Sequence, residues 1–103
     1  MKMIHKAWTL AALLLTLCVS HAQGVDPAQA RSWAAGCANC HGTNGQAQPG
    51  MESLAGANAA DLVKKMQDFK AGRKPATIMH QLSKGYSDEQ IQAIATYFAA
   101  QKK

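Results

Sequence analysis

The chain is short and only moderately basic. It has 103 residues, of which 48% are hydrophobic and 17% charged, and its formal net charge is +5. This length allows one small domain rather than several. Lys2 and Lys6 lie in the N-terminal leader described next, and without them the formal charge is +3. This charge balance does not favour a nucleic-acid partner.

The first 22 residues have the pattern of a secretory signal peptide. Lys2 and Lys6 make the start positive, and residues 7–19 form an apolar run. Ser20-His21-Ala22 fits the small-x-small pattern that predicts cleavage before Gln23. The apolar run has 13 residues, fewer than the roughly 20 that span a bilayer. We therefore expect export to the periplasm and no membrane span in the mature chain.

Two alternatives for the leader remain. An uncleaved leader would act as a membrane anchor. A lipid attached to Cys18 is disfavoured, because the bulky Leu17 precedes it where a small residue is expected. The predicted mature domain is 23–103, and its 81 residues make a protein core alone marginal, so that a covalent or metal staple is expected.

Helical patterns follow one another along this domain, which predicts an all-α fold. Asp26 caps a first helix that has Pro27 at its first position, and Gly36 is expected to end it. The segment 42–56 is too rich in glycine and proline to be a helix. The later elements are a helix capped by Asn58 and ended by Ala71-Gly72, a short helix from Ala76 to Ser83, and a last helix headed by the capping box Ser87-Asp88-Glu89-Gln90. The apolar stripe of that last helix is Ile91, Ile94, Ala95 and Phe98.

The run Cys37-Ala38-Asn39-Cys40-His41 carries the chemistry of this chain. Two cysteines separated by two residues and followed at once by histidine are typical of a c-type haem attachment site. The thiols of Cys37 and Cys40 form thioethers with the haem vinyl groups, and His41 supplies the proximal ligand to iron. We therefore expect one covalently bound haem c, which also fills the apolar core that so short a chain lacks.

Two other interpretations of the motif are weaker. A structural zinc site wants four ligands, and in the mature domain only His80 could join His41 and the two cysteines, at a spacing unlike that of zinc fingers. A thioredoxin-like redox pair wants a βαβ context, and no strand pattern surrounds the motif.

A six-coordinate iron needs a second ligand on the distal side. The candidates in the mature domain are Met51, Met66, Met79 and His80. Met66 belongs to the apolar stripe of the second long helix, and Met51 lies only ten residues past His41. Met79 lies 38 residues past His41, which is far enough for the chain to reach the opposite haem face. Met79 is therefore the preferred ligand, with His80 as its competitor and an open iron as the remaining alternative.

A local cluster of positive charge follows in the second half of the domain. It consists of Lys64, Lys65, Lys70, Arg73 and Lys74. Its ordinary interpretation is a solvated helix face, and its functional interpretation is a docking patch for an acidic redox partner.

Several runs of this chain match a known family. The segment Cys37–Gly42 after a first helix, with Leu54-Ala55-Gly56 in the loop, resembles a class I cytochrome c of the small bacterial c553-like type. The runs Ala76–His80 and Lys84–Ile91 are similar to the cytochrome subunit of flavocytochrome c sulfide dehydrogenases. This resemblance implies about four helices around one haem, and it implies that Met79 ligates iron. Some members of that family carry two haem domains, whereas this chain has one haem motif.

The resemblance implies electron transfer without catalysis by this chain itself. In the preferred hypothesis the chain is the haem subunit that accepts electrons from a sulfide-oxidising flavoprotein. In the second hypothesis the chain is a free carrier that passes electrons from another redox protein to a terminal oxidase or another cytochrome. A gas-binding or peroxidase-like haem protein is the third, and it requires an iron that Met79 does not ligate.

Overall fold

The computed structural model describes residues 24–103, and they form a helical domain. The predicted leader, 1–22, lies outside the described residues and stays a prediction. The helices are α1 (Pro27–Ala34), α2 (Ala38–His41), α3 (Ala59–Lys70), α4 (Met79–Lys84) and α5 (Asp88–Ala99), with short 3₁₀ turns at Ala35–Cys37 and Thr43–Gly45. The described part of the chain contains no strand. The predicted all-α fold is confirmed.

The long helices begin at the predicted caps. The Asp26 side chain accepts a hydrogen bond from the Ala28 N–H at 3.3 Å, and the Asn58 side chain accepts one from the Asp61 N–H at 3.1 Å. At the head of α5, the Ser87 hydroxyl accepts from the Gln90 N–H at 3.1 Å while the Gln90 side chain accepts from the Ser87 N–H at 2.9 Å. These bonds satisfy N–H groups that have no partner inside the helix.

The core lies where α5 meets α1 and α3. The predicted stripe of α5 is buried throughout: Ile91, Ile94, Ala95 and Phe98 are each at most 4% exposed. Ala34 from α1 and Leu62 from α3 complete the cluster. Apart from these residues, the buried apolar side chains of the described chain are alanines, which leaves the polypeptide core thin.

The first helix ends at Ala34, within one residue of the end expected just before Gly36. The chain then continues as a 3₁₀ turn over Ala35–Cys37 into α2, which was not predicted. The helical winding instead ends at Gly42, whose φ of +80° and ψ of 163° belong to a region that only glycine occupies readily. The predicted start of the short helix is wrong, because α4 begins at Met79 rather than Ala76. Ile78 is its N-cap residue, with φ of −117°, and no side chain caps the helix there.

The loop 42–56 is held against the end of α5 by three hydrogen bonds. The Tyr97 hydroxyl donates to the Asn44 side chain at 2.8 Å, the Gly56 N–H donates to the Phe98 carbonyl at 2.9 Å, and the Gln46 side chain donates to the Lys102 carbonyl at 3.1 Å. The loop therefore has a defined path although it contains little helix.

None of the helices in residues 24–103 has both the length and the apolar character needed to cross a bilayer.

Candidate functional site

The Cys-x-x-Cys-His motif lies on one helical surface. Cys37 ends the 3₁₀ turn, and Cys40 and His41 follow in α2. Because the chain stays helical from Cys37 to His41, side chains three and four residues apart point to the same side. The structure therefore brings the two predicted thioether residues and the predicted proximal ligand together on one face.

The two cysteines differ in exposure, and neither is in a disulfide. Cys37 is half-buried against the core cluster, whereas Cys40 is exposed. Burial raises the pKa of the Cys37 thiol above its usual range, with a smaller opposing effect from a backbone hydrogen bond. Burial, and to a lesser degree the negative charge that Cys37 can carry, raises the pKa of Tyr86. The first cysteine of the motif therefore lies in an apolar environment, and the second faces outward.

The imidazole of His41 is oriented by the loop. Its Nδ1 lies 2.6 Å from the main-chain carbonyl oxygen of Glu52. A carbonyl oxygen only accepts hydrogen bonds, so Nδ1 carries the proton and donates it. The lone pair of this neutral imidazole is then on Nε2, which is the arrangement that a metal-ligating histidine needs.

The four candidate distal ligands have different surroundings. The Ser83 hydroxyl donates to the Met66 sulfur at 3.7 Å, between α3 and α4. The His80 Nε2 is hydrogen-bonded to the Lys74 carbonyl, and its ring lies edge-on to Phe69 at 6.2 Å. Met66 and His80 are therefore held by contacts between α3 and the segment that contains α4.

The side chains of Met51 and Met79 make no hydrogen bond within residues 24–103. Met51 is 47% exposed and lies in the loop that follows His41. Met79 is half-buried at the first position of α4.

The apolar side chains outside the core fit a haem. Met51 in the loop, Ile78 at the N-cap of α4 and Leu82 in α4 are each about half exposed, at 47%, 54% and 46%. The Leu82 N–H donates to the Ile78 carbonyl at 3.1 Å, so Ile78 lies one turn before Leu82 and directly before Met79. A contiguous patch of such side chains would be the kind of surface that binds another molecule, and a flat apolar macrocycle suits side chains from two separate segments.

The positive charge of the basic cluster is partly offset by its neighbours, because four of its five side chains pair with three carboxylates. Lys64 and Arg73 both contact the Asp68 carboxylate, at 2.6 and 2.9 Å, and these hydrogen bonds, Lys64 first, hold the pKa of Asp68 below its usual range. Lys65 forms an ion pair with Glu52, and Lys70 pairs with Asp88 at 3.6 Å. The Lys74 ammonium lies 5.9 Å from the centre of the Phe69 ring. This arrangement favours the solvated helix face over the docking patch.

The weaker interpretations of the motif gain no support. Within residues 24–103, no group of three or more His, Cys, Asp or Glu side chains is placed to hold a metal ion, and no strand surrounds the motif.

A small helical domain with a Cys-x-x-Cys-His surface and an oriented histidine has the features of a c-type cytochrome. Residues 26–98 match the family model described as cytochrome c oxidase, cbb3-type, subunit III, and the chain belongs to this family of cytochrome c domains. The cofactor is therefore covalently bound haem c, and the domain is of the class I, c553-like type.

Several curated proteins that are similar to this chain are also cytochromes. Cytochrome c4 of Pseudomonas aeruginosa is 40% identical over 97 residues, which are 90% of this chain and 48% of that protein. Cytochrome c-553 of Nitratidesulfovibrio vulgaris is 34% identical over 84% of this chain and 93% of its own length. The cytochrome subunit of sulfide dehydrogenase from Chlorobaculum tepidum is 39% identical over 62 residues, or 60% of this chain and 56% of that subunit. The chain spans about half the length of the cytochrome c4 relatives that it matches.

One feature of the site was missing from the sequence analysis. The hydrogen-bond partner of His41 is a main-chain carbonyl eleven residues away, in a loop with no periodic pattern. Every residue has such a carbonyl, so no residue type could have marked Glu52 as this partner.

Proposed function

We propose that Cys37 and Cys40 hold the haem through thioethers and that His41 and Met79 are its two axial ligands. The haem supplies reversible one-electron oxidation and reduction of its iron. The polypeptide orients the proximal imidazole through the Glu52 carbonyl. It also presents a thioether that keeps the iron closed to other ligands and raises its reduction potential.

The surroundings of the distal candidates support Met79. His80 and Met66 each make a contact that a ligand would have to give up, with the Lys74 carbonyl and the Ser83 hydroxyl respectively. Met51 follows His41 by ten residues within the loop that holds the proximal imidazole. Met79 has neither difficulty, and the exposed apolar side chains of Ile78 and Leu82 extend the same surface.

The ligand assignment is tested by the near-infrared band of a methionine–iron bond in the oxidised protein. We expect the band in the unsubstituted protein and in Met66→Leu, and we expect its loss in Met79→Leu. A band that survives in Met79→Leu assigns the ligand elsewhere. Absence of the band from the unsubstituted protein would favour an open or histidine-ligated iron.

We further propose that the chain is a periplasmic haem subunit that takes electrons, one at a time, from a sulfide-oxidising flavoprotein and passes them to another carrier. The 39% sequence identity to the cytochrome subunit of a sulfide dehydrogenase supports this partner. Asp68 and Glu52 offset part of the positive charge of the basic cluster, which reduces the electrostatic steering of a transient partner.

A free carrier is the second candidate function. It is favoured by the match to cytochrome c-553, which extends over 93% of that relative's length. Such a carrier would exchange electrons with its partners through brief, salt-sensitive encounters.

Gentle affinity purification of this chain from its native periplasm distinguishes the two functions. Flavin recovered in a fixed ratio to haem is expected for the haem subunit, and sulfide-dependent reduction of the haem in that preparation identifies the substrate. Haem on a single small chain, without flavin, would overturn the subunit proposal in favour of the free carrier.

A further inference from the structure

We propose that the ion pair between Lys65 and Glu52 is a clamp that holds the proximal histidine in position. The clamp acts through the main chain, because the side chain of Glu52 binds Lys65 while its carbonyl accepts the proton of His41 Nδ1. Glu52 and Lys65 are thus positioning residues for the iron ligand. The inference rests on the proposed role of His41 as that ligand.

The two halves of the clamp belong to different kinds of segment, a packed helix and a loop. Lys65 lies on α3, which is anchored in the core by the buried Leu62 three residues earlier. Glu52 lies in the loop 42–56, outside any helix and with its side chain 52% exposed. The contact with Lys65 therefore ties Glu52, a residue of the loop, to a packed helix.

The loop around Glu52 is also held on its C-terminal side. The Ala47 N–H donates to the Ser53 hydroxyl at 3.0 Å, and the Leu54 N–H donates to the Gly45 carbonyl at 2.8 Å. These bonds hold residues 53 and 54, whereas Glu52 itself contacts Lys65 through its side chain and His41 through its carbonyl. The ion pair to Lys65 therefore adds a second restraint on Glu52 and helps to keep its carbonyl aimed at His41.

The direction of this carbonyl matters for the electronic properties of the site. A hydrogen bond from the outer nitrogen of a ligating histidine makes the inner nitrogen more basic. A more basic ligand favours the oxidised iron and lowers the reduction potential. If the clamp is released, the hydrogen bond becomes looser and the potential rises.

The expected effect is modest because the ion pair is partly exposed. The side chains of Lys65 and Glu52 are 40% and 52% exposed. Ion pairs of this kind typically change an equilibrium by a factor of about 1.5 to 5 and are screened by salt. Exchange of the His41 Nδ1 proton with solvent should accelerate by about the same factor when the pair is broken.

The test uses holoprotein carrying Glu52→Ala, Lys65→Ala or both substitutions. Lys64→Ala is the matched control, because Lys64 lies one residue earlier on the same helix but pairs with Asp68 instead of the loop. Lys65→Arg keeps the positive charge at this position and should therefore retain the clamp. For each variant, NMR gives the exchange rate of the His41 ring proton, and a redox titration gives the potential.

The signs of the potential shifts separate a clamp from a simple charge effect. Loss of the negative charge of Glu52 raises the potential, whereas loss of the positive charge of Lys65 lowers it. Loss of the clamp raises the potential in both variants. In the double variant the two charge effects largely cancel, so only the effect of the clamp remains.

We expect faster exchange of the His41 proton in Glu52→Ala, in Lys65→Ala and equally in the double variant, with a raised potential in the double variant. Lys64→Ala and Lys65→Arg should exchange at the unsubstituted rate. Unchanged exchange together with potential shifts of opposite sign would overturn the clamp. If the His41 ring resonances lack the large shifts of an iron ligand even in the unsubstituted protein, the proposed ligand role fails instead.

Discussion

Substitution of Gly42 by alanine tests how the chain leaves the haem motif. Gly42 follows His41 directly and turns the chain out of α2 with φ of +80°. A Cβ atom at this position would lie 1.9 Å from the carbonyl oxygen of Gln46 and 3.1 Å from the Cα of Ala47. Both neighbours are backbone atoms, so a rotation of a side chain cannot relieve the overlap.

The cost has two parts. The backbone conformation itself costs an L-residue about 1–3 kcal/mol. Moving the Gln46 carbonyl away disturbs two hydrogen bonds of the turn, from the Gly45 N–H to the Gly42 carbonyl and from the Gln46 N–H to the Thr43 carbonyl. Each such bond contributes about 0.5–1.5 kcal/mol. Gly42→Ala should therefore lower the free energy of unfolding by about 2–6 kcal/mol.

Gly72→Ala is the matched control. Gly72 has a similar φ of +76°, but a Cβ atom there would meet nothing within 4 Å. Its expected cost is about 1–2 kcal/mol, from the backbone alone. Both variants gain the same small stabilisation from a less flexible unfolded chain, so this contribution cancels when they are compared.

The measurement is urea unfolding of the two holoproteins, followed by far-ultraviolet circular dichroism. Recovery of haem-loaded protein from the periplasm is a second measurement, and it should be lower for Gly42→Ala than for Gly72→Ala. Equal unfolding free energies for the two variants, within about 0.5 kcal/mol, would refute the reasoning, since overlap with Gln46 is the feature that separates them.

Three further predictions concern stability. The lowered pKa of Asp68 means that its ion pairs stabilise the fold fully above the carboxyl's ordinary pKa of about 4 and are lost as pH falls through the lower native value. The difference in unfolding free energy between the unsubstituted protein and Asp68→Asn should therefore shrink in acid, and a difference independent of pH would contradict this. Ser87→Ala removes the cap of α5 and should lower the unfolding free energy by about 1 kcal/mol, while Ser87→Thr should retain most of it. Phe98→Ala, at a position 2% exposed, should lower the unfolding free energy by about 3–5 kcal/mol, whereas Val25→Ala, at a position 42% exposed, should change it by less than about 0.5 kcal/mol; a similar effect of both would contradict the assigned core.

Much of the fold was predictable because its determinants are local. The cap at Asn58 and the capping box at Ser87 involve residues three positions apart, and the structure has both as expected. The stripe of α5 from Ile91 to Phe98 is buried as its 3.6-residue period indicates. The first helix ends at Ala34 as the glycine at position 36 indicates, but the continuation through a 3₁₀ turn and α2 to His41 has no such local marker.

The sequence by itself determined the class of this protein, because the haem motif places its chemistry within five consecutive residues. Only the tertiary structure decided what holds the motif and what surrounds it. The Glu52 carbonyl reaches His41 from eleven residues away, Ser83 contacts Met66 between two helices, and Asp68 forms ion pairs with both Lys64 and Arg73. These contacts depend on the path of a loop and the packing of α3 against α4. Residue types and local periodicity do not specify such a path, because it results from the whole set of packed elements.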